Sequence, residues 1–108
     1  MERTANQGKP AAIVAYLTII GTIIAYFMNN DDKNPFASFH IRQGLGIHIT
    51  FYVIGMLVSM FDSWWISFPF YIFILILVGY GIVSAIQGEY NKVPLLGDKF
   101  QKWFNTIK

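Results

Sequence analysis

His40, Arg42, Gln43 and His48 sit near the start of an otherwise apolar run, in the segment Ser38-Phe-His-Ile-Arg-Gln-Gly-Leu-Gly-Ile-His48. Ionisable groups in hydrocarbon lose their water, so they persist where they pair, line a cavity or reach a headgroup. Four chemistries are open to such a cluster: metal binding, proton relay, headgroup binding and cross-helix hydrogen bonding. Metal binding fails on spacing. On a helix His40 and His48 stand about 12 Å apart along the axis, and no Asp or Glu falls three or four residues from either. No metal and no other cofactor is expected. His48 lies about 20 Å along the helix from Pro35, near a bilayer midplane. It is expected either to hydrogen-bond across a helix bundle, to Thr18 or Thr22, or to act as a proton relay or ligand. Arg42 either reaches a lipid phosphate or pairs with Glu89. There is no paired-carboxylate site, no serine with a base and an orienting acid, and no phosphate-cradling glycine loop, so no enzyme is expected.

The composition places this cluster in a bilayer. Of 108 residues 55% are hydrophobic and only 13% charged, too few to cover a soluble globule of this size with polar groups. Absence of cysteine removes disulfides, thiolate metal sites and cysteine nucleophiles together. The formal charge of +2 is modest and its lysines and arginines are dispersed, so anionic lipid is the expected electrostatic partner and nucleic acid is not.

Three stretches approach the ~20 residues that cross ~30 Å of hydrocarbon. The first spans 10–28, with Pro10 in its first turn and the polar run Asn29-Asn-Asp-Asp-Lys-Asn34 after it; its apolar part is too long for a cleaved signal. The second spans 35–60, with Asn34 as N-cap. The third spans 68–88, capped by Ser67, and Trp64 and Trp65 anchor the turn before it at the interface. The expected fold is therefore all-α, with three transmembrane helices in one membrane domain over 10–95, after a short tail at 1–9. Over 96–108, Leu96, Phe100, Trp103, Phe104 and Ile107 recur at intervals of three and four, opposite Asp98, Lys99, Gln101, Lys102, Asn105 and Lys108. This predicts an amphipathic helix lying in the interface, with Phe100, Trp103 and Phe104 toward the acyl chains.

At 100° per residue, Ala11, Ala15, Thr18, Thr22 and Ala25 form one stripe of the first span and Gly81, Ser84, Ala85 and Gly88 one stripe of the third. Such small residues let helices associate closely, within one chain or between copies. On the second span His40, Gly44, Ile47, His48, Phe51 and Gly55 share the packed face, with Arg42 nearly opposite. In a three-span chain one side holds two basic residues, Arg3 and Lys9, and the other six, Lys33, Arg42, Lys92, Lys99, Lys102 and Lys108. Positive charge favours the cytoplasm, which puts the first loop and C-terminus inside and the N-terminus outside.

Asn34-Pro-Phe36, then Phe39-His40-x-Arg42-Gln43-Gly44, and later Gly88-Glu89-Tyr90 with Pro94-Leu95, resemble a small bacterial membrane-protein family of unknown function. That family is related to the membrane-embedded subunit of the chloroplast inner-envelope protein-import translocon. The resemblance covers about Ala11 to Leu96 and implies an all-helical domain in the bacterial inner membrane, possible membership of a larger assembly, and no catalytic residue. The plastid relatives have four spans, against three here.

Two functions follow from these readings. One is a non-enzymatic scaffold or accessory subunit that packs against other membrane proteins or itself, import-translocon-like in the terms of the resemblance. The other is a small oligomeric permeation or proton-coupled element using His48.

Overall fold

The structure is a computed structural model that describes residues 2–107 except Asp32, leaving aside the side chains of residues 2–5. Arg3 and Lys108, counted above for orientation, and Asp32 of the polar run therefore lie outside the described side chains. The chain is helical: α1 (Glu2–Leu17), α2 (Ile19–Met28), α3 (Pro35–Ser59), α4 (Trp64–Ile86) and α5 (Gly97–Trp103).

The stretch expected as a first span is two helices rather than one. Thr18 is extended (φ −155°, ψ 171°) and its hydroxyl accepts from the Gly21 amide, so a new helix starts one residue after the old one ends. The second helix returns alongside the first: the Thr22 hydroxyl donates to the Ala15 carbonyl at 2.7 Å, although seven residues separate them. Both open ends of this hairpin meet at the start of α3. Gly8 of α1 abuts Asn34 and Ala37, and the Asn29 side chain after α2 donates to Ser38 Oγ at 3.0 Å. The arms are thus roughly antiparallel to each other, and α1 runs parallel to α3. At ten residues, α2 is about 15 Å long, half of the hydrocarbon thickness. Two helices, α3 and α4, are long and apolar enough to cross a membrane. The three-span expectation is corrected to two candidate spans plus a helical hairpin, and the N-terminal arm starts at the same end of the molecule as the 29–34 loop, not the opposite one.

Asn34 does cap α3, its Oδ1 accepting from the amides of Phe36 and Ala37, with Pro35 in the first turn. From Phe36 to His48 every residue except Arg42 and Leu45 is buried, and from Ile49 to Ser59 none is. The near half of α3 is enclosed by the hairpin, by the end of α4 and by the segment after it. Among the described residues the far half lies beside α4, with Phe51 stacked on Phe70, and the hairpin tip reaches no further than the cleft it shares with Phe51 and Tyr52. The most apolar windows of α3 and α4 are only 33% and 17% buried. Helices so apolar and so exposed are not the core helices of a soluble fold; they are solvated by lipid, and the chain is membrane-associated.

The third span starts earlier than expected. Ser63, not Ser67, accepts from a first-turn amide, that of Trp65, so Trp64 and Trp65 lie in the first turn of α4 rather than in the preceding turn; both are exposed. Pro69 is carried inside the helix. At the other end Gly88 has φ 74°, the Glu89 amide donates to the Ser84 carbonyl and the Gly88 amide to that of Ala85. This Schellman arrangement needs a left-handed residue, which explains the glycine: Gly88 ends the helix instead of packing it.

The terminal segment is corrected in the same way. Its helix is seven residues long, and Phe100 is buried where a Cβ on Gly46 would meet its ring. Phe104 is half-buried against the main core and Ile107 against the Ala11, Ala15, Ala25, Ala37 and Ile41 cluster. Of the three aromatics expected to meet acyl chains, Trp103 alone is exposed, at 61%. The apolar face that was expected to meet acyl chains instead docks on α3.

Candidate functional site

The polar cluster at the head of α3 forms a set of intramolecular staples. Phe36 to Gly44 is one continuous stretch of helix, so its side chains leave in every direction, and each direction meets a different element. His40 faces α1 and the end of α4 together: Nδ1 is hydrogen-bonded to the Tyr16 hydroxyl, and Nε2 lies 2.9 Å from the carbonyl of Glu89. Because a carbonyl only accepts, Nε2 carries the proton and Nδ1 accepts from the tyrosine. The Gln43 amide donates to the same Tyr16 oxygen at 2.8 Å and to the Asn91 carbonyl at 3.3 Å. Its carbonyl oxygen accepts from the Val93 amide at 2.7 Å. Ser84 closes the network, donating to the Glu89 carbonyl at 3.0 Å and accepting from the Asn91 amide at 3.1 Å.

Together these bonds pin 89–93, a stretch without regular structure, to the bundle. Its main-chain groups at Glu89, Asn91 and Val93 would otherwise lack partners close to hydrocarbon, where each unmet group costs several kcal/mol. Rings complete the enclosure. His40 is edge-on to Phe36 at 4.7 Å, and Tyr90 packs edge-on to Phe36 and Phe39 at 5.4 and 5.3 Å.

Arg42 holds the chain's other end. Its Nε and Nη2 donate to the Ile107 carbonyl at 2.9 and 2.6 Å, and its Nη1 donates to Gln101 Oε1 at 3.2 Å. Gln101 in turn donates to the Phe39 carbonyl at 2.9 Å. The expected Arg42–Glu89 pair does not form: the Glu89 carboxylate is exposed and accepts from the Asn91 amide nitrogen at 2.9 Å. The two side chains leave α3 and the end of α4 toward different segments.

Gly44 is the contact point of the hairpin. A Cβ there would run into the Ala15 carbonyl, so this position must be glycine for α1 to lie against α3. The expected packing residues Ala15, Thr22, Gly81 and Ala85 are buried, Gly81 against the Tyr16 ring, while Thr18 is exposed at the hairpin tip. His48 lies beside that tip. It is held against the Ala15 carbonyl rather than bonded to Thr18 or Thr22, and its Nε2 is buried without a hydrogen-bond partner. Among the described residues no three His, Cys, Asp or Glu gather where they could hold a metal. Reading the sequence missed Tyr16, which bridges His40 and Gln43. Its signal was a hydroxyl-bearing ring in a stretch of small and aliphatic residues, directly after Ala15 of the alanine stripe.

A family model described as the magnetosome magnetite crystal formation protein family matches residues 8–100. The chain belongs to that family. The matched region runs from the hairpin to Phe100 and so includes every staple made by His40 and Gln43. No curated protein and no solved structure matches the chain. A small membrane-protein family is thus shown, and the relation to a chloroplast import translocon rests on the motif resemblance alone.

Proposed function

We propose that this protein is a non-enzymatic scaffold or accessory subunit embedded in a membrane, serving an assembly of the kind its family is described by, one in which a magnetite crystal forms. The observation that carries the reading is the use made of the polar residues. His40, Gln43 and Arg42 are each satisfied by other parts of the same chain, so the groups best suited to chemistry are spent on shaping the molecule. Import-translocon likeness adds no site to this reading.

Orientation follows from the hairpin. Every Lys and Arg lies before residue 43 or after residue 91, and two spans return both regions to one side. That side is cytoplasmic by the excess of positive charge, in a bacterial inner membrane or one derived from it, with anionic headgroups around it. Purification from native membranes in mild detergent tests the proposal. A partner membrane protein, or a second copy, recovered in fixed stoichiometry supports it; a lone chain that catalyses a reaction in proteoliposomes overturns it.

The unpartnered Nε2 of His48 favours one second reading, a proton-coupled permeation element assembled from several copies. An amide can hydrogen-bond but cannot titrate, so His48→Gln separates the two. The scaffold reading expects no change in partner recovery and no wild-type flux. Wild-type flux that disappears in His48→Gln establishes the second reading.

A further inference from the structure

The molecule is unequal in its two halves along the membrane normal. Around the near half of α3 lie both arms of the hairpin, the end of α4 and the segment 89–107, while the far half is α3 and α4 alone. A helix with its side chains is about 10–12 Å across, so the two arms add on the order of 200 Å² of cross-section to the near leaflet and nothing to the far one.

The tip that ends this added cross-section is built to stay in hydrocarbon. A break in a helix frees backbone groups that lipid cannot satisfy. Here Thr18 Oγ1 accepts from the Gly21 amide at 2.9 Å, and the Thr22 hydroxyl donates to the Ala15 carbonyl at 2.7 Å. Leu17 and Ile20 beside the break are 59% and 65% exposed. Beneath the tip lies a cleft of about 310 Å³, walled on its apolar sides by Leu17, Ile19, Phe51, Ile74, Leu75 and Val78. Tyr16, Thr18, His48 and Tyr52 complete its lining, and acyl-chain ends fit its apolar side.

We propose that the chain is a one-leaflet wedge that partitions to, and stabilises, bilayers convex on the hairpin side. Packing constraint supplies the mechanism. The near leaflet must spread to accommodate the arms while the far leaflet closes under them, and that strain is relieved when the hairpin-bearing face curves outward. Insertion into one leaflet is curvature-sensitive for the same reason in interfacial helices. With every basic residue on the hairpin side, the face that curves outward is cytoplasmic, as on the outside of an intracellular vesicle. This goes beyond the scaffold reading, which stands or falls on partner recovery and not on vesicle shape.

The test uses the full chain carrying a dye at Asn105→Cys, reconstituted into phosphatidylcholine–phosphatidylglycerol vesicles of mixed diameter. A membrane-impermeant quencher distinguishes copies whose hairpin side faces out from those facing in. Outward copies should be several-fold denser per membrane area on the smallest vesicles than on the largest, and inward copies should show the opposite trend. A nitroxide at Leu17→Cys, expected at the midplane, confirms the hairpin in the same vesicles. Gly21→Leu, whose side chain collides with the Val14 carbonyl, should spread the arms and change the outward preference. Because the two orientations of the wild type control each other, the test does not depend on that variant folding. Equal density at all diameters in both orientations, with the Leu17 label at the midplane, overturns the wedge. A Leu17 label beyond the midplane overturns it as well, because the hairpin is then a span.

Discussion

Replacing Gln43 by Leu removes three hydrogen bonds while nearly conserving volume, and the cost can be worked from what each partner loses. The Tyr16 hydroxyl keeps His40, and the Asn91 carbonyl keeps access to water at the rim, so those two losses cost about 1 kcal/mol together. The Val93 amide fares worse. Val93 is 2% exposed and its N–H donates to Gln43 Oε1 at 2.7 Å. Stranding a buried donor costs about 1–3 kcal/mol. Cross-helix hydrogen bonds inside bilayers average only about 0.6 kcal/mol because the unfolded chain finds other partners there. That discount applies weakly to a main-chain amide in a segment with no regular structure to fall back on. The expected total is about 2–4 kcal/mol, mostly as local release of 89–93. Amide exchange at Val93 in micelles should accelerate about 30-fold or more, since each 1.4 kcal/mol is a factor of ten. Exchange at Ile74 and Leu77, deeper in α4, should change much less. Unchanged Val93 exchange in Gln43→Leu would refute the staple.

Phe100→Ala empties the space over Gly46 and should cost about 3 kcal/mol, releasing α5 and red-shifting nearby Trp103 emission as water reaches it; an unshifted spectrum would place Phe100 in lipid instead. Arg42→Gln should free the C-terminal segment to protease near Ile107, whereas Glu89→Gln should leave the pattern unchanged, because that carboxylate touches only Asn91. The double variant should be additive, and a coupling above about 0.5 kcal/mol would restore the Arg42–Glu89 pair.

How much of this was legible differs between elements for physical reasons. Asn34-Pro35 reads as a helix start because a cap and its first turn are local chemistry. The end of α4 was equally local, yet Gly88 was assigned to packing because its stripe position and its helix-ending role use the same residue type. The break at Thr18 is the main loss. Hydropathy counts apolar residues and is blind to direction, so the eight residues from Pro10 to Leu17 and the ten of α2 that return score like one span. The signal present was Thr18 three residues before Gly21, a capping hydroxyl followed by a residue that lets the returning arm approach Val14. The absence of Lys and Arg from residues 43 to 91 was a second signal, since it fits an even number of spans better than an odd one. Importance of the cluster at His40, Arg42 and Gln43 was readable from the cost of burying it. Its partners were not, because Glu89, Asn91, Val93 and Ile107 contribute main-chain atoms, which carry no residue identity to search for. Phe100 lay on a correctly drawn apolar face; an amphipathic helix suits protein as well as lipid, and only Gly46 on α3 marked the place it would fill.

The hairpin decides the topology, and cysteine labelling across a sealed membrane tests it most directly, with no native cysteine to interfere. Single cysteines at Gln7, Asn30, Ser63 and Asn105 divide differently under the two topologies. Two spans and a hairpin predict that impermeant maleimide reaches positions 7, 30 and 105 from the same, cytoplasmic side and position 63 only from the other. Labelling of position 7 from the side that labels position 63 would make residues 10–28 a true span and contradict the account.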